Sequence, residues 1–179
     1  KTGLIHPVRE IAALARSRGA EVIVDAAHSF GQFPLAIDDL GADFVGFNLH
    51  KWIGAPVGLG VLFIREGRFD AIAPAHGGDA AADRIDGRIL TGTTNFALTM
   101  TIPAAIDFQE RIGIERKAAR LRFLRDRWAE AVRGEPGVAV LTPPDAGLCC
   151  ALTGFRLHGR GSRDAVAATV RALHDEFGI

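Results

Sequence analysis

Residues 21–64 read EVIVDAAHSFGQFPLAIDDLGADFVGFNLHKWIGAPVGLGVLFI, and they contain the patterns most informative about the fold. Three runs in it, 21–25, 43–47 and 58–64, are rich in β-branched and aromatic residues, which predicts three strands. The intervals between the runs are too long for tight hairpins. Residues 7–18 carry apolar side chains at helical spacing between Pro7 and Gly19, so we predict an amphipathic helix before the first strand. A helix followed by separated strands indicates an α/β architecture.

The second half of the chain has longer helical patterns. We predict a helix at 101–112, an interruption at Gly113 and a helix at 114–133. The apolar face predicted for the longer helix consists of Ile114, Leu121, Leu124, Trp128 and Val132. Strands at 138–141 and 149–157 and a helix at 163–177 complete the predicted elements. We therefore predict a partial large domain over 1–113, followed over 114–179 by a connecting helix and part of a smaller α/β domain.

The composition is that of an ordinary globular protein. The 179 residues are 48% hydrophobic and 23% charged, and 21 Lys and Arg balance 21 Asp and Glu. This balance argues against a nucleic-acid binder, and no apolar run is long enough to predict a membrane span. Cys149 and Cys150 are adjacent, so they predict no disulfide framework. Because the chain opens at Lys1 and enters a helical pattern almost at once, we expect it to be a fragment of a longer protein.

Residues that can carry chemistry follow two of the predicted strands. Asp25 ends the first strand, with His28 just after it, and Asn48, His50 and Lys51 follow the second strand. The carboxyl ends of neighbouring parallel strands meet at one edge of a sheet, where α/β proteins place ligands. Two simpler interpretations remain open at this point: a turn-capping aspartate, and a structural salt bridge between aspartate and lysine.

Two further segments favour a ligand site. Gly54, Gly58 and Gly60 follow the lysine and allow backbone to lie close to a ligand or a neighbouring strand. Residues 91–95 read TGTTN, a polar segment with the hydroxyls and amides that hold phosphate oxygens. From spacing alone, an N-cap for the helix at 101–112 is the first interpretation of this segment.

The string VDAAHSFGQFPLAIDDLGADFVGFNLHKWIGAPVGLGVLFIR, followed by TGTTN, resembles the class V aminotransferase branch of the fold type I pyridoxal 5'-phosphate (PLP) enzymes. That branch includes cysteine desulfurases and isopenicillin N epimerase-like proteins. The motifs AAH and NLHKW are closer to those of the epimerase-like group. The resemblance covers essentially the whole chain. It implies a large domain with a mostly parallel sheet and flanking helices, followed by the start of a smaller α/β domain.

The resemblance also implies roles at the predicted site. Lys51 matches the lysine that forms a Schiff base with the cofactor aldehyde and then moves the substrate α-proton. Asp25 matches the carboxylate that pairs with the pyridine nitrogen and keeps the ring an electron sink. Ala27 matches the small residue under that ring. His28 matches the residue that contacts the phenolic oxygen, which is often glutamine in the desulfurases.

Three more residues match positions that reach the cofactor phosphate. Asn48 replaces a serine common in desulfurases, and His50 matches a phosphate contact. Thr93 matches a threonine that, in family dimers, reaches the phosphate held by the neighbouring subunit. The resemblance thus implies a homodimeric, cytoplasmic enzyme that acts on a small amino acid by epimerase, transaminase or C–S lyase chemistry. The alternative is a dimerisation or scaffold domain that has the fold but no cofactor.

The family's phosphate-binding loop and ring-stacking residue precede the part matched here, and its carboxylate-binding arginine lies beyond Ile179. We therefore expect the isolated fragment to be inactive. The two cysteines fall within a predicted buried strand, so we expect them to be packing residues rather than a sulfur-accepting nucleophile. The spacing of Asp25, His28 and His50 matches no zinc motif, so no metal site is predicted. A solvated face is expected for the basic residues Arg116, Lys117, Arg120, Arg122, Arg125 and Arg127.

Overall fold

The computed structural model describes residues 2–75, 84–89 and 92–179. Contacts within the chain divide it into two compact units, Pro7–Lys117 and a second unit of residues 2–6 with Ala118–Ile179. The division between Lys117 and Ala118 falls inside a helix and lies four residues after the predicted domain boundary at residue 113. The domain assignment over the whole protein stays a prediction.

The first unit holds a small sheet and several helices. In chain order its elements are α1 (Val8–Arg16), β1 (Ile23–Asp25), β2 (Phe44–Asn48), β3 (Gly60–Ile64), α2 (Ile85–Ile89), α3 (Phe96–Thr99), α4 (Ile102–Ile112) and the first turn of α5 (Ile114–Val132). Single 3-10 turns occupy Asp38–Leu40 and Phe69–Ala71. The predicted helices and strands of this half are confirmed, with ends that differ by one or two residues, and α2 and α3 are additional.

The sheet has the order β1-β2-β3. β1 and β2 are parallel, with Asp25 beside Gly46. β2 and β3 are antiparallel, with Asn48 opposite Gly60. Within the described residues the sheet is therefore mixed rather than mostly parallel, because the connection over 49–59 returns the chain beside β2 without a crossover helix.

The core of the first unit lies around β2. Val45 is fully buried, and Phe47 and Leu49 are nearly so. The ring of Phe30 stacks on Phe47 with ring centroids 4.0 Å apart. Ala26, directly after β1, is also fully buried. Burial on both sides of β2 explains its continuous apolar run, and it anchors the polar loop that follows the strand.

A buried carboxylate stands at the opposite end of β2. Asp43 is 2% exposed and accepts hydrogen bonds from the backbone N–H of Val22 at 2.8 Å and from Nε of Arg68 at 2.9 Å. Arg65 also donates to it. Burial alone would raise the pKa of Asp43, but these hydrogen bonds and the two guanidinium charges outweigh it and hold that pKa below its usual value. The charge cluster joins the start of β2 to the segments before β1 and after β3.

In the second unit, β4 (Val138–Val140) pairs antiparallel with β5 (Phe155–Leu157), and α6 spans Arg163–Phe177. The predicted strand at 149–157 is wrong over most of its length, since only its last three residues pair as a strand. The backbone N–H of Ile5 donates to the carbonyl of Leu148 at 2.8 Å, and Leu4 bridges Cys149. The first residues of the chain thus pair with Leu148 and Cys149, which precede the paired residues of β5.

The apolar face predicted for α5 is only partly buried. Leu121 and Val132 are half-buried, whereas Leu124 and Trp128 are about two-fifths exposed. The buried residues of the helix are Ala118, Arg125 and Ala129. Arg125 is 4% exposed, pairs with Asp126 and donates to the sulfur of Cys149. A guanidinium thus fills a position that periodicity assigned to solvent, because a sulfur and a carboxylate meet its donors there.

Both cysteines are expected to resist alkylation in the native protein. Cys149 and Cys150 are 0% and 1% exposed, and burial raises the pKa of the Cys150 thiol. Since the thiolate is the reactive form, iodoacetamide should label the native protein at least about tenfold more slowly than the urea-denatured protein. Mass spectrometry of the labelled peptide measures both rates. Rapid native labelling accompanied by loss of activity would instead identify a reactive thiol.

Within the three described ranges, no helix combines the length and the apolar character needed to cross a bilayer.

Candidate active site

The first loop of the candidate site leaves the end of β1. Asp25 is exposed at the last position of β1, and its Oδ1 accepts the backbone N–H of Ala27 at 2.9 Å. This hydrogen bond turns the chain and leaves the second carboxylate oxygen for another partner. Ala27 is 8% exposed, whereas His28 is exposed. The carbonyl of His28 accepts from Nε2 of Gln32 at 2.7 Å, which fixes the backbone there.

The second loop leaves the end of β2. Asn48 is the last residue of the strand and is half-buried, as is His50, and Lys51 is exposed. The backbone N–H of Ala55 donates to the carbonyl of Leu49 at 3.0 Å, so the loop closes on itself around Lys51. Because β1 and β2 are parallel, both loops leave the same edge of the sheet.

Direct contacts join the two loops. The rings of His28 and Trp52 meet edge to face, with centroids 6.5 Å apart. Gly31 has a φ of +75°, and a Cβ built on it would lie 2.6 Å from Cδ1 of Ile53 and 3.4 Å from Cβ of Trp52. The absence of a side chain at Gly31 therefore permits the close approach that brings His28 and the Lys51 loop together.

Gly31→Ala is expected to destabilise the protein by about 1–3 kcal/mol, because it adds a clash with Ile53 to left-handed backbone strain. Gly19→Ala is the matched control: Gly19 has a φ of +73° but no atom within 4 Å of a built Cβ. Urea unfolding of both variants separates the clash from the strain. Equal losses in the two variants would contradict the close approach.

Thr93 lies in a different part of the first unit. It is exposed between α2 and α3, and the nearby Asn95 caps α3 by accepting the N–H of Ala97 at 3.1 Å. The polar segment thus caps a helix, but α3 rather than the predicted helix at 101–112. Thr91 of the same segment lies outside the described residues. Within the described residues, no hydrogen bond or ion pair joins Thr93 to the two loops, and its role at a neighbouring subunit stays a prediction.

Several residues near the site were not predicted from the sequence. Gln32 is 3% exposed and Trp52 packs on His28. Lys117, which was expected on a solvated face, is half-buried and donates to the carbonyl of Trp52. Gly31, which the sequence analysis did not single out, is the residue whose type could have indicated this close packing. Nothing in the periodicity of α5 distinguishes Lys117 from its basic neighbours.

An apolar hollow of about 880 Å³ lies beside these contacts, lined among others by Phe30, Phe47, Ile53 and Ile106. None of the predicted cofactor residues lines it. The hollow therefore does not coincide with the polar edge at which Asp25 and Lys51 stand.

The polar edge fits an anionic cofactor. Nδ1 of His50 and Nε1 of Trp52 are both buried and have no hydrogen-bond partner within the described part of the chain. Unsatisfied buried donors or acceptors are costly, so they indicate a missing partner. The imidazole of His50, next to Lys51 in the sequence, suits a phosphate oxygen, as the resemblance implies for PLP. The described residues contain no group of three His, Cys, Asp or Glu side chains arranged for a metal ion.

Comparison with known proteins identifies relatives across nearly the whole chain. The family model Aminotransferase class-V matches residues 1–171. An isopenicillin N epimerase from Streptomyces clavuligerus is 33% identical over 173 residues, which cover 87% of this chain and 44% of that protein. A probable cysteine desulfurase from Pyrococcus abyssi is 31% identical over 140 residues, covering 73% of this chain and 35% of that protein. The chain therefore spans less than half the length of these relatives.

A solved structure agrees with these sequence matches. The apo structure of a cysteine desulfurase from Thermococcus onnurineus NA1 superposes with a TM-score of 0.71 at 32% identity. The superposition covers 94% of this chain and 44% of that one. The α/β fold expected from the sequence is confirmed.

Proposed function

The chain belongs to the class-V aminotransferase family, and on that premise we propose that it carries the lysine half of a PLP-dependent active site acting on a small amino acid. The observation that carries the proposal is the arrangement of two loops. An aspartate and a lysine follow adjacent parallel strands at one edge of the sheet, and the loops that hold them touch through His28 and Trp52.

Each residue has a defined task in this proposal. Lys51 would hold the cofactor through its aldehyde, and its amine, once displaced by the amine of the substrate, would take up or return the proton at the substrate α-carbon. The free carboxylate oxygen of Asp25 accepts from the pyridine nitrogen and keeps it protonated. When bound, PLP supplies an electron sink for negative charge at that α-carbon. His28 donates to the phenolic oxygen, and the buried Ala27 leaves room for the flat ring.

The phosphate end is assigned to the second loop. His50, whose Nδ1 is buried without a partner, and Asn48 donate to phosphate oxygens. Thr93 serves the phosphate of a neighbouring subunit, so the full-length protein works as a homodimer. Epimerisation, transamination and C–S bond cleavage are the three candidate outcomes. The choice among them depends on which groups face the α-carbon of the substrate.

PLP added to the full-length protein, followed by borohydride reduction and peptide mapping, tests this proposal. The chain has three lysines, Lys1, Lys51 and Lys117, so the map is simple to interpret within it. We expect a yellow protein with the reduced adduct on Lys51. A colourless and unmodified protein would favour the scaffold alternative. Screening amino acids for racemisation, keto-acid release and sulfide release then distinguishes the three outcomes.

A further inference from the structure

Two helical side chains hold the backbone immediately after Lys51. Lys117 of α5 donates to the carbonyl oxygen of Trp52. Nε2 of Gln109, on α4, donates to the carbonyl oxygen of Ile53 at 2.9 Å. Nζ of Lys117 also donates to Oε1 of Gln109 at 2.7 Å, which links the two side chains. Two consecutive carbonyls next to Lys51 are thus bound by one connected pair.

A break between the helices brings the pair together. Gly113 separates α4 from α5 with a φ of +81°, a conformation that favours glycine. Its N–H donates to the carbonyl of Gln109 at 2.9 Å, and its carbonyl accepts from the N–H of Lys117 at 3.0 Å. The chain therefore turns by a fixed route between the two side chains, and both reach the same loop.

The Lys117 ammonium group binds amide oxygens in a partly buried position. Lys117 is half-buried, and burial lowers its pKa. It forms no ion pair with a carboxylate among the described residues, and its hydrogen bonds go to the amide oxygens of Trp52 and Gln109. A charged donor binds such an oxygen about twice as strongly as a neutral one. The charge is therefore used to hold one conformation of the loop.

Backbone hydrogen bonds also close the loop that holds Lys51. The N–H of Ala55 closes the turn on Leu49, and the N–H of Leu49 donates to the carbonyl of Leu59 at 3.1 Å. Lys51 lies within this closed turn. We infer that Lys117, together with Gln109, is a positioning residue for Lys51. The two side chains fix the peptide that follows Lys51, so that the amine of Lys51 stays at the end of the sheet. This inference rests on the proposed role of Lys51.

Amide hydrogen exchange and adduct formation in the full-length protein test the inference together. Lys117→Met removes the donor and retains much of the side-chain length. We expect exchange in the peptide covering 49–57 to rise about tenfold, and the borohydride-trapped PLP adduct on Lys51 to form about tenfold more slowly. Lys117→Arg should restore part of both. A loss in kcat larger than any rise in KM should accompany Lys117→Met.

Arg116→Met is the matched control, because it removes an exposed cation from the adjacent position of α5. It should leave exchange and adduct formation unchanged. If Lys117→Met does not fold, Gln109→Met removes the donor to Ile53 and should raise exchange in the same peptide. Exchange and adduct rates equal to those of Arg116→Met would overturn the inference. Wild-type protein without a Lys51 adduct would instead refute the proposed function. The exchange result would still test whether Lys117 and Gln109 hold the backbone after Lys51.

Discussion

Lys51→Ala in the full-length protein is expected to lower kcat by roughly a thousandfold or more and to abolish the borohydride-trapped adduct. The variant loses the nucleophilic amine and the group that moves the α-proton, and general acid–base catalysis alone contributes roughly a hundredfold to ten-thousandfold. Lys51 is exposed at the sheet edge, so the loss should not come from unfolding. Steady-state kinetics, absorbance after PLP addition and urea unfolding measure these three quantities.

Lys51→Arg sharpens the test. Arginine retains the positive charge but has no primary amine to bind the aldehyde, so it should be as inactive as alanine. If either variant still gave an adduct, mapped for instance to Lys117, the assignment of Lys51 would be wrong. If Lys51→Arg kept full activity, the lysine would act only through its charge.

The largest effect on stability is expected for Asp43. Asp43→Ala should lower the free energy of unfolding by about 2–3 kcal/mol, because the N–H of Val22 and the guanidinium groups of Arg65 and Arg68 lose a 2%-exposed partner. Both arginines are about one-third exposed, so water replaces part of what they lose. Urea unfolding at neutral pH measures the difference.

The contribution of Asp43 to the free energy of unfolding should also depend on pH. Its folded pKa lies below the ordinary value of 3.8, so the unfolded chain binds the proton more readily. The stabilisation by the ionised Asp43 is therefore complete above about pH 3.8, and it declines as the pH falls through the lower pKa of the folded state. The stability gap between wild type and Asp43→Asn should narrow in that acidic window. A gap that stayed constant with pH would show that the charge of Asp43 does not stabilise the fold.

Asp39→Ala is the control for a surface charge. Asp39 pairs with Arg9 at 3.3 Å, but both side chains are about two-thirds exposed. Such a pair contributes about 0–1 kcal/mol. A loss as large as that of Asp43→Ala would mean that burial does not explain the difference between the two aspartates.

The sequence predicted the elements with strong local patterns. The bounds of α4 and α6 and the break at Gly113 agree with the structure, since helical spacing, an N-cap serine at 162 and glycine after each helix act over a few residues. The spacing of Asp25 and Lys51 after consecutive strands likewise predicted two loops at one edge. These features depend on neighbours in sequence, so they can be recognised without a structure.

Predictions about which side chains are buried were less successful. Arg125 and Lys117 belong to the same basic series as the exposed Arg116, and no periodicity separates them. Their environments depend on Cys149 and Trp52, which are distant in sequence. The strand predicted at 149–157 failed for a similar reason: its first residue, Cys149, bridges Leu4 at the beginning of the chain, and only Phe155–Leu157 pair with β4.

Local patterns in the sequence were thus sufficient to predict the α/β class, the order of the longer helices and the strands, and the pair of polar loops that follow β1 and β2. They did not show that Gly31 lets the two loops touch, that β3 runs antiparallel to β2, or that Lys117 binds the carbonyl of Trp52. The difference lies in how far apart in the sequence the interacting residues are. Helix caps and strand runs are governed by neighbouring residues, whereas the position of a buried charge depends on packing between segments far apart in the chain.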